Sequence, residues 1–267
     1  MYEAYWGLRE KPFQNTPDPR FFYHSSEHEE ALHRLQYTIS EGLGTALLSG
    51  VFGCGKTMVL YTLLDGLPDL KYKVALITNP RLGPTELLRE IVYNLGVKDN
   101  LPHEKTDILH ILREILLDNF NDGKKTVIIV DEVHVIEDRQ VFEELRLLLN
   151  YQEKGSFLLT LILSGQPEIR HRISNLKQFS QRISIRYHLD RFGREDTEEY
   201  ISHRIHTAGG KNSIFSPRAL DSIYNQTGGI PRRINNLGEL CLLTGYGMGA
   251  ERIDENIVDE AGKDMEE

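Results

Sequence analysis

The chain has 267 residues, enough for a sizeable core and two packed units, with 31 Lys and Arg against 40 Asp and Glu and a formal net charge of −9. Charged residues at 27% and aromatics at 9% mark a globular chain, and the acidic balance disfavours a uniformly basic nucleic-acid binder while leaving room for a local basic patch. No apolar run reaches the ~20 residues that span a bilayer. The start, Met1 to Trp6, lacks the basic and apolar regions of a signal peptide, and the two cysteines, Cys54 and Cys241, fit a reducing cytoplasm better than a disulfide framework.

Residues 1–24 carry Trp6, Pro12, Phe13, Pro17, Pro19, Phe21, Phe22 and Tyr23. So many aromatics would not stay solvated, so an ordered extended arm is expected. His28 to Ser40 is an amphipathic helix with Ala31, Leu32, Leu35 and Ile39 on one face. Thr45 to Ser49 is a short buried strand, and Met58 to Leu64 opens a helix. Lys73–Thr78 is a second strand, followed by helices over Pro84–Leu95 and Thr106–Phe120. Thr126–Asp131 is an apolar run ending in acid, as a central parallel strand would be. A helix over Val141–Tyr151, a strand over Phe157–Ser164 and an alternating strand over Ile183–Leu189 complete an alternation that implies a doubly wound α/β sheet. From Glu195 only helices are expected: Glu195–Ala208, Pro217–Gln226, Ile230–Thr244 and an acidic Asp254–Met265. The boundary near Leu189–Gly193 gives a core over 1–192, arm included, and a helical domain over 193–267.

Between the first strand and its helix stands Gly50-Val51-Phe52-Gly53-Cys54-Gly55-Lys56-Thr57, a full match to G-x-x-x-x-G-K-[ST]. The glycines permit a tight turn that brings backbone N–H groups, those up to Met58 at the helix start included, against phosphate oxygens. Lys56 supplies a point charge for the β- and γ-phosphates of ATP, and the Thr57 hydroxyl is a ligand for Mg²⁺. The helix dipole points at the anion. A second motif ends the third strand: Asp131 to hold Mg²⁺ and Glu132 to orient or deprotonate an attacking water. Asn79, after the second strand, is either a partner that holds Glu132 off-line or a turn residue before Pro80. Ser164 at the end of the fourth strand, with Gln166 beyond it, is placed to touch the γ-phosphate or the lytic water; the alternative is strand capping. A guanine-reading Asn-Lys-x-Asp is absent from the sequence, so ATP is favoured over GTP.

Together these residues resemble the secretion-type AAA+ ATPases of the ExeA, or general secretion pathway protein A, family. The resemblance runs through Tyr5–Phe13, Pro17–Tyr23, His28–Leu32, Ser164–Glu168, Gln181-Arg182-Ile183 and Gly229–Asn235. It implies an AAA+ P-loop fold with a five-stranded parallel sheet in the order 5-1-4-3-2 and an all-helical lid. It implies that Arg232, with Arg233 as fallback, reaches from the lid to the γ-phosphate, and that Arg182 is an arginine finger completing a neighbour's site in a homo-oligomer. Phe13, Pro17 and Tyr23 become candidates for the adenine pocket, with plain core packing as the alternative. Cys54 stands where the family has Thr or another small residue; its thiol is expected either to have a lowered pKa, open to redox control, or to be a tolerated small side chain. Long members add a membrane segment and a peptidoglycan-binding domain, so the chain is expected to be either a short member or a piece. The expected role is an Mg²⁺-dependent ATPase that drives or gates a secretion, pilus or polysaccharide-export complex, cytoplasmic and held at the inner membrane through a partner. The alternative is an ATP-gated DNA-binding regulator of transposition, for which Arg170, His171, Arg172, Lys177 and Arg182 form a basic stretch.

Overall fold

The computed structural model describes residues 1–99 and 101–264; the end of the last predicted helix, at Met265, lies outside the described residues. In chain order the elements are α1 (Glu3–Trp6), α2 (Ser26–Glu41), β1 (Thr45–Gly50), α3 (Lys56–Asp65), β2 (Tyr72–Ile77), α4 (Pro84–Asn94), α5 (Lys105–Asn121), β3 (Lys125–Val130) and α6 (Arg139–Leu148). There follow β4 (Gln152–Glu153), β5 (Ser156–Phe157), β6 (Leu159–Gly165), α7 (Glu168–Ser174), α8 (Lys177–Ser180), β7 (Ile185–Leu189), α9 (Arg194–Thr207), α10 (Pro217–Thr227), α11 (Pro231–Gly247) and α12 (Glu255–Lys263). By packing they form two compact units: Glu29–Gly50 with Thr62–Leu189, and Met1–His28 with Val51–Tyr61 and the chain from Asp190 onward.

The first unit is a parallel sheet in the order β2-β3-β6-β1-β7. With the β4–β5 hairpin set aside, this is the expected 5-1-4-3-2. The three inner strands are buried along nearly their whole length, which is why their sequences read as continuous apolar runs. Leu87, Leu88 and Ile91 of α4, Ile108 and Leu112 of α5, and Phe142 and Leu145 of α6 close over Ile128, Val130 and Leu161. Two local expectations fail. The helix predicted to reach Tyr151 stops at Leu148, because Lys154 and Gly155, at φ 49 and 80, turn the chain into the antiparallel β4–β5 pair. Helices α7 and α8 appear where none was foreseen; at seven and four residues they are too short to establish a helical period.

The second unit packs the arm on the C-terminal helices. The arm is not fully extended. Gly7, at φ 70, closes the single turn of α1, and Asp18 caps a 3₁₀ turn over Pro19–Phe21 by accepting the Arg20 N–H at 3.0 Å. Trp6 donates its indole N–H to the Leu242 carbonyl at 2.9 Å. Phe13 is buried edge-on to Phe215, and it lies so close to Gly238 that a Cβ there would be 2.8 Å from the ring. Arg204, 2% exposed, donates to the carbonyls of Pro12 and Gln14 and to the Tyr200 hydroxyl, pinning the arm to α9. Phe13 is thus a core residue. Tyr23 packs against Phe192 and Tyr200 and donates its hydroxyl to Glu199.

Candidate nucleotide site

In the first unit, β1, β3 and β6 end at one edge of the sheet. Leu48 pairs with Ser164 and Val130 with Leu163, so Gly50, Asp131 and Ser164 come to the same edge, where open parallel sheets bind ligands. Asp131 is 3% exposed and donates its backbone N–H to the Ile77 carbonyl at 2.9 Å. The Ser164 hydroxyl is fully buried with no hydrogen-bond partner among the described residues. Leaving such a group unpaired costs about 1–3 kcal/mol, and a bound polar group at this edge would recover it.

Glu132 breaks the strand conformation at φ 54, ψ 32. A left-handed backbone at a non-glycine residue costs about 1–2 kcal/mol and persists only where its surroundings impose it. Here its N–H donates to Asp131 Oδ1 at 2.9 Å, and its carbonyl accepts from Val135 N–H at 2.9 Å, fixing a 3₁₀ turn over Val133–Val135. That turn brings His134 Nδ1 to 3.2 Å from Glu132 Oε2. The Gln166 side chain lies 2.8 Å from His134 Nε2, and the Gln166 backbone N–H points at Nδ1 from 3.3 Å. Nδ1 cannot accept from Gln166 and donate to Glu132 at once, so a proton at that atom selects between them. Gly165 allows this approach: a Cβ there would stand 3.0 Å from Val133 Cγ2 and 3.3 Å from His134 N. Arg172, from α7, donates to the carbonyls of His134 and Ile136.

His134 was not singled out in the sequence, although it stands three residues after Asp131. Asn79 is exposed beyond β2 and makes no hydrogen bond to Glu132 among the described residues; the carboxylate's neighbour is His134. Arg182 stands apart from these groups. It precedes β7, near the start of β1, where Ser184 N–H donates to Thr45 O at 2.9 Å, and its guanidinium donates to Asn150 Oδ1 at 3.4 Å. It therefore lies towards the opposite edge of the sheet from Asp131 and Ser164.

The phosphate loop is held within the second unit. Gly53 and Gly55 adopt φ 80 and 103, conformations that L side chains resist. Lys56, 5% exposed, donates Nζ to the Val51 carbonyl across the loop at 3.0 Å. Arg232 N–H donates to the Gly53 carbonyl at 3.2 Å, and its guanidinium stacks 4.8 Å from the centre of the exposed Phe52 ring. A Cβ on Gly53 would be 2.9 Å from Arg232 Cβ. Arg233 turns elsewhere, donating to the Gln226 carbonyl at 2.9 Å. The αL pair Gly228-Gly229 sets this approach, with Phe192 N–H donating to Gly229 O at 2.9 Å. The expectation of a lowered Cys54 pKa is overturned: the side chain is wholly buried, and burial raises the thiol's pKa against the weaker pull of Lys56. Two left-handed glycines in the loop that leads into α3 fit a phosphate-bearing ligand.

The sequence pattern of the AAA domain family matches residues 40–173, half of the chain. The chain belongs to the AAA domain family. Its AAA domain is a nucleotide-binding fold of the hydrolysing class. It is 38% identical over 260 residues to the general secretion pathway protein A of Aeromonas hydrophila, a match covering 95% of this chain and 46% of that protein. The chain therefore spans less than half the length of that curated relative. Among solved structures, Cdc6p of Pyrobaculum aerophilum superposes with TM-score 0.77 at 16% identity over 95% of this chain and 70% of that one. The ORC2 protein of Aeropyrum pernix, solved in ADPNP–ADP complexes, gives 0.73 at 17% over 97% and 72%. RuvB of Thermotoga maritima, a Holliday junction branch migration motor, gives 0.61 at 18% over 90% and 69%. At these identities the structures share the AAA fold with this chain. Among the described residues no helix is long and apolar enough to cross a membrane.

Proposed function

We propose that this AAA domain hydrolyses ATP with Mg²⁺ and that it works as an oligomer in assembling or gating a secretion or export complex. The observation that carries the reading is the placement of Asp131 and Ser164 at the edge where β1 runs into a glycine-turned phosphate loop, with Glu132 turned out of its strand beside them. Loop N–H groups from Val51 to Met58 and the Lys56 ammonium bind the phosphates, and Arg232 balances charge from the helical lid proposed for residues 193–267. Thr57 and Asp131 are the residues that would hold Mg²⁺, which when bound neutralises charge on the phosphate oxygens. Glu132 orients the attacking water and takes its proton. Ser164 fixes the water or the terminal phosphate, and Asn79 is retained as an outer partner of Glu132. Arg182, remote from its own Asp131, acts on a neighbouring copy. The pathway rests on the similarity to general secretion pathway protein A, and with it a cytoplasmic position held at the inner membrane through a partner. Of the basic stretch on which the DNA-binding alternative would draw, Arg172 is committed to backbone carbonyls, while Arg170, His171 and Lys177 are exposed.

Phosphate release by the wild type and by Glu132→Gln, measured across protein concentration, tests this reading. Specific activity should rise as the protein assembles. Glu132→Gln should bind ATP normally and turn it over at least ~100-fold more slowly. A variant that hydrolyses at the wild-type rate would remove Glu132 as the base.

A further inference from the structure

His28 is the third residue of α2, 26 residues before Cys54, and is 4% exposed. Its Nε2 lies 3.0 Å from the Cys54 carbonyl and its Nδ1 2.8 Å from Ser25 Oγ. A carbonyl only accepts, so Nε2 carries the proton; Nδ1 then presents a lone pair and the Ser25 hydroxyl donates to it. The ring is wedged between Phe192, 5.0 Å away, and Phe22, 6.1 Å away. Both nitrogens are used and both faces are packed, so the imidazole has one orientation. It also occupies the space beside Gly55, where a Cβ would lie 2.7 Å from Nε2. Nothing in the proposed hydrolysis uses this histidine.

In a planar trans peptide the C=O and the following N–H point in opposite directions, and the described chain has no cis bond. Fixing the Cys54 carbonyl towards His28 therefore turns the Gly55 N–H to the other face of the loop. Gly55, at φ 103, has little intrinsic preference to hold that peptide plane by itself. We propose that His28 is a positioning residue of the phosphate loop, holding the Cys54–Gly55 peptide so that the Gly55 N–H faces a nucleoside di- or triphosphate. The inference rests on the reading of this loop as the nucleotide site. Burial keeps the ring in the neutral state that this tautomer requires, with its pKa pushed down to about 4.

The test is calorimetric titration of ADP and AMP into the full chain carrying His28→Phe, which keeps a ring without a donor, or His28→Gln, which keeps a donor without the ring. His28→Phe should weaken ADP binding about tenfold, the loss expected for one hydrogen bond, and AMP binding by much less. His28→Gln should bind ADP within about threefold of the wild type. Wild-type ADP affinity in His28→Phe would overturn the proposal, and so would equal losses in both variants, which would mark a packing role. Should His28→Phe not fold, Ser25→Ala decides the question by freeing the ring to rotate; unchanged ADP affinity there would also overturn it. Lys56→Ala separates the underlying reading: if it binds ADP as the wild type does, the loop is not the nucleotide site.

Discussion

Acidification should destabilise the unit that contains the phosphate loop through His28. The ordinary imidazole value of 6.5 falls to about 4 here, because burial outweighs the Cys54 carbonyl and Asp196, which both favour the charged ring. Between those two values the unfolded chain binds a proton that the folded chain does not, so stability rises with pH across the window. The contribution is complete above the ordinary value and is lost as pH falls towards the folded one, by about 2 kcal/mol at pH 5 and ~3 kcal/mol at pH 4. His203, also lowered by burial, pulls in the same direction, so the wild-type slope alone does not isolate His28. The comparison is urea unfolding of wild type and His28→Gln at pH 7 and pH 5, followed by the emission of Trp6. That residue is the chain's single tryptophan, and it is packed in the same unit. The wild type should lose about 2 kcal/mol more than the variant on acidification. Equal losses would refute a neutral buried His28.

Other expectations follow from the same geometry. Arg182→Ala should bind ATP normally and hydrolyse it at least ~100-fold more slowly, and mixing it with Glu132→Gln should restore part of the activity; a mixture as inactive as its components would argue against action on a neighbouring copy. Gly229→Ala should cost more than Gly228→Ala in thermal unfolding, although both residues are left-handed. A Cβ on Gly229 would lie 2.0 Å from the Phe192 carbonyl oxygen, whereas on Gly228 the nearest atom is a flexible Arg191 nitrogen at 3.6 Å. The backbone strain alone is about 1 kcal/mol at either site, and the clash should at least double it at Gly229; equal melting temperatures would contradict this.

The sheet was legible because its inner strands are buried on both faces and so carry unbroken apolar runs, and because the loop pattern demands a strand before it and a helix after it. Glu132 was legible as a carboxylate at the end of β3, but its left-handed backbone and its pairing with His134 were not. Nor was the contact of Gln166 with His134, which depends on Gly165 letting the end of β6 approach the 132–135 turn across more than thirty residues of sequence. Arg204 looks like an ordinary basic residue in the last turn of an exposed helix; only the arm lying across α9 makes it a buried donor to Pro12 and Gln14.

The phosphate loop shows why a motif specifies less than it suggests. Its pattern accounts for the glycine conformations and for Lys56, whose ammonium holds the Val51 carbonyl from inside the motif. Two further carbonyls are held from far away in sequence, Gly53 by the backbone N–H of Arg232 and Cys54 by His28. A loop of small residues with two left-handed glycines has many conformations of similar energy. Anchoring its carbonyls from the start of α2 and from α11 selects one of them and turns the intervening N–H groups the other way. The anchor at Gly53 is a main-chain group that any residue but proline supplies, so no side-chain pattern can announce it; the anchor at Cys54 is a single histidine beside a helix start, indistinguishable in sequence from a solvated one.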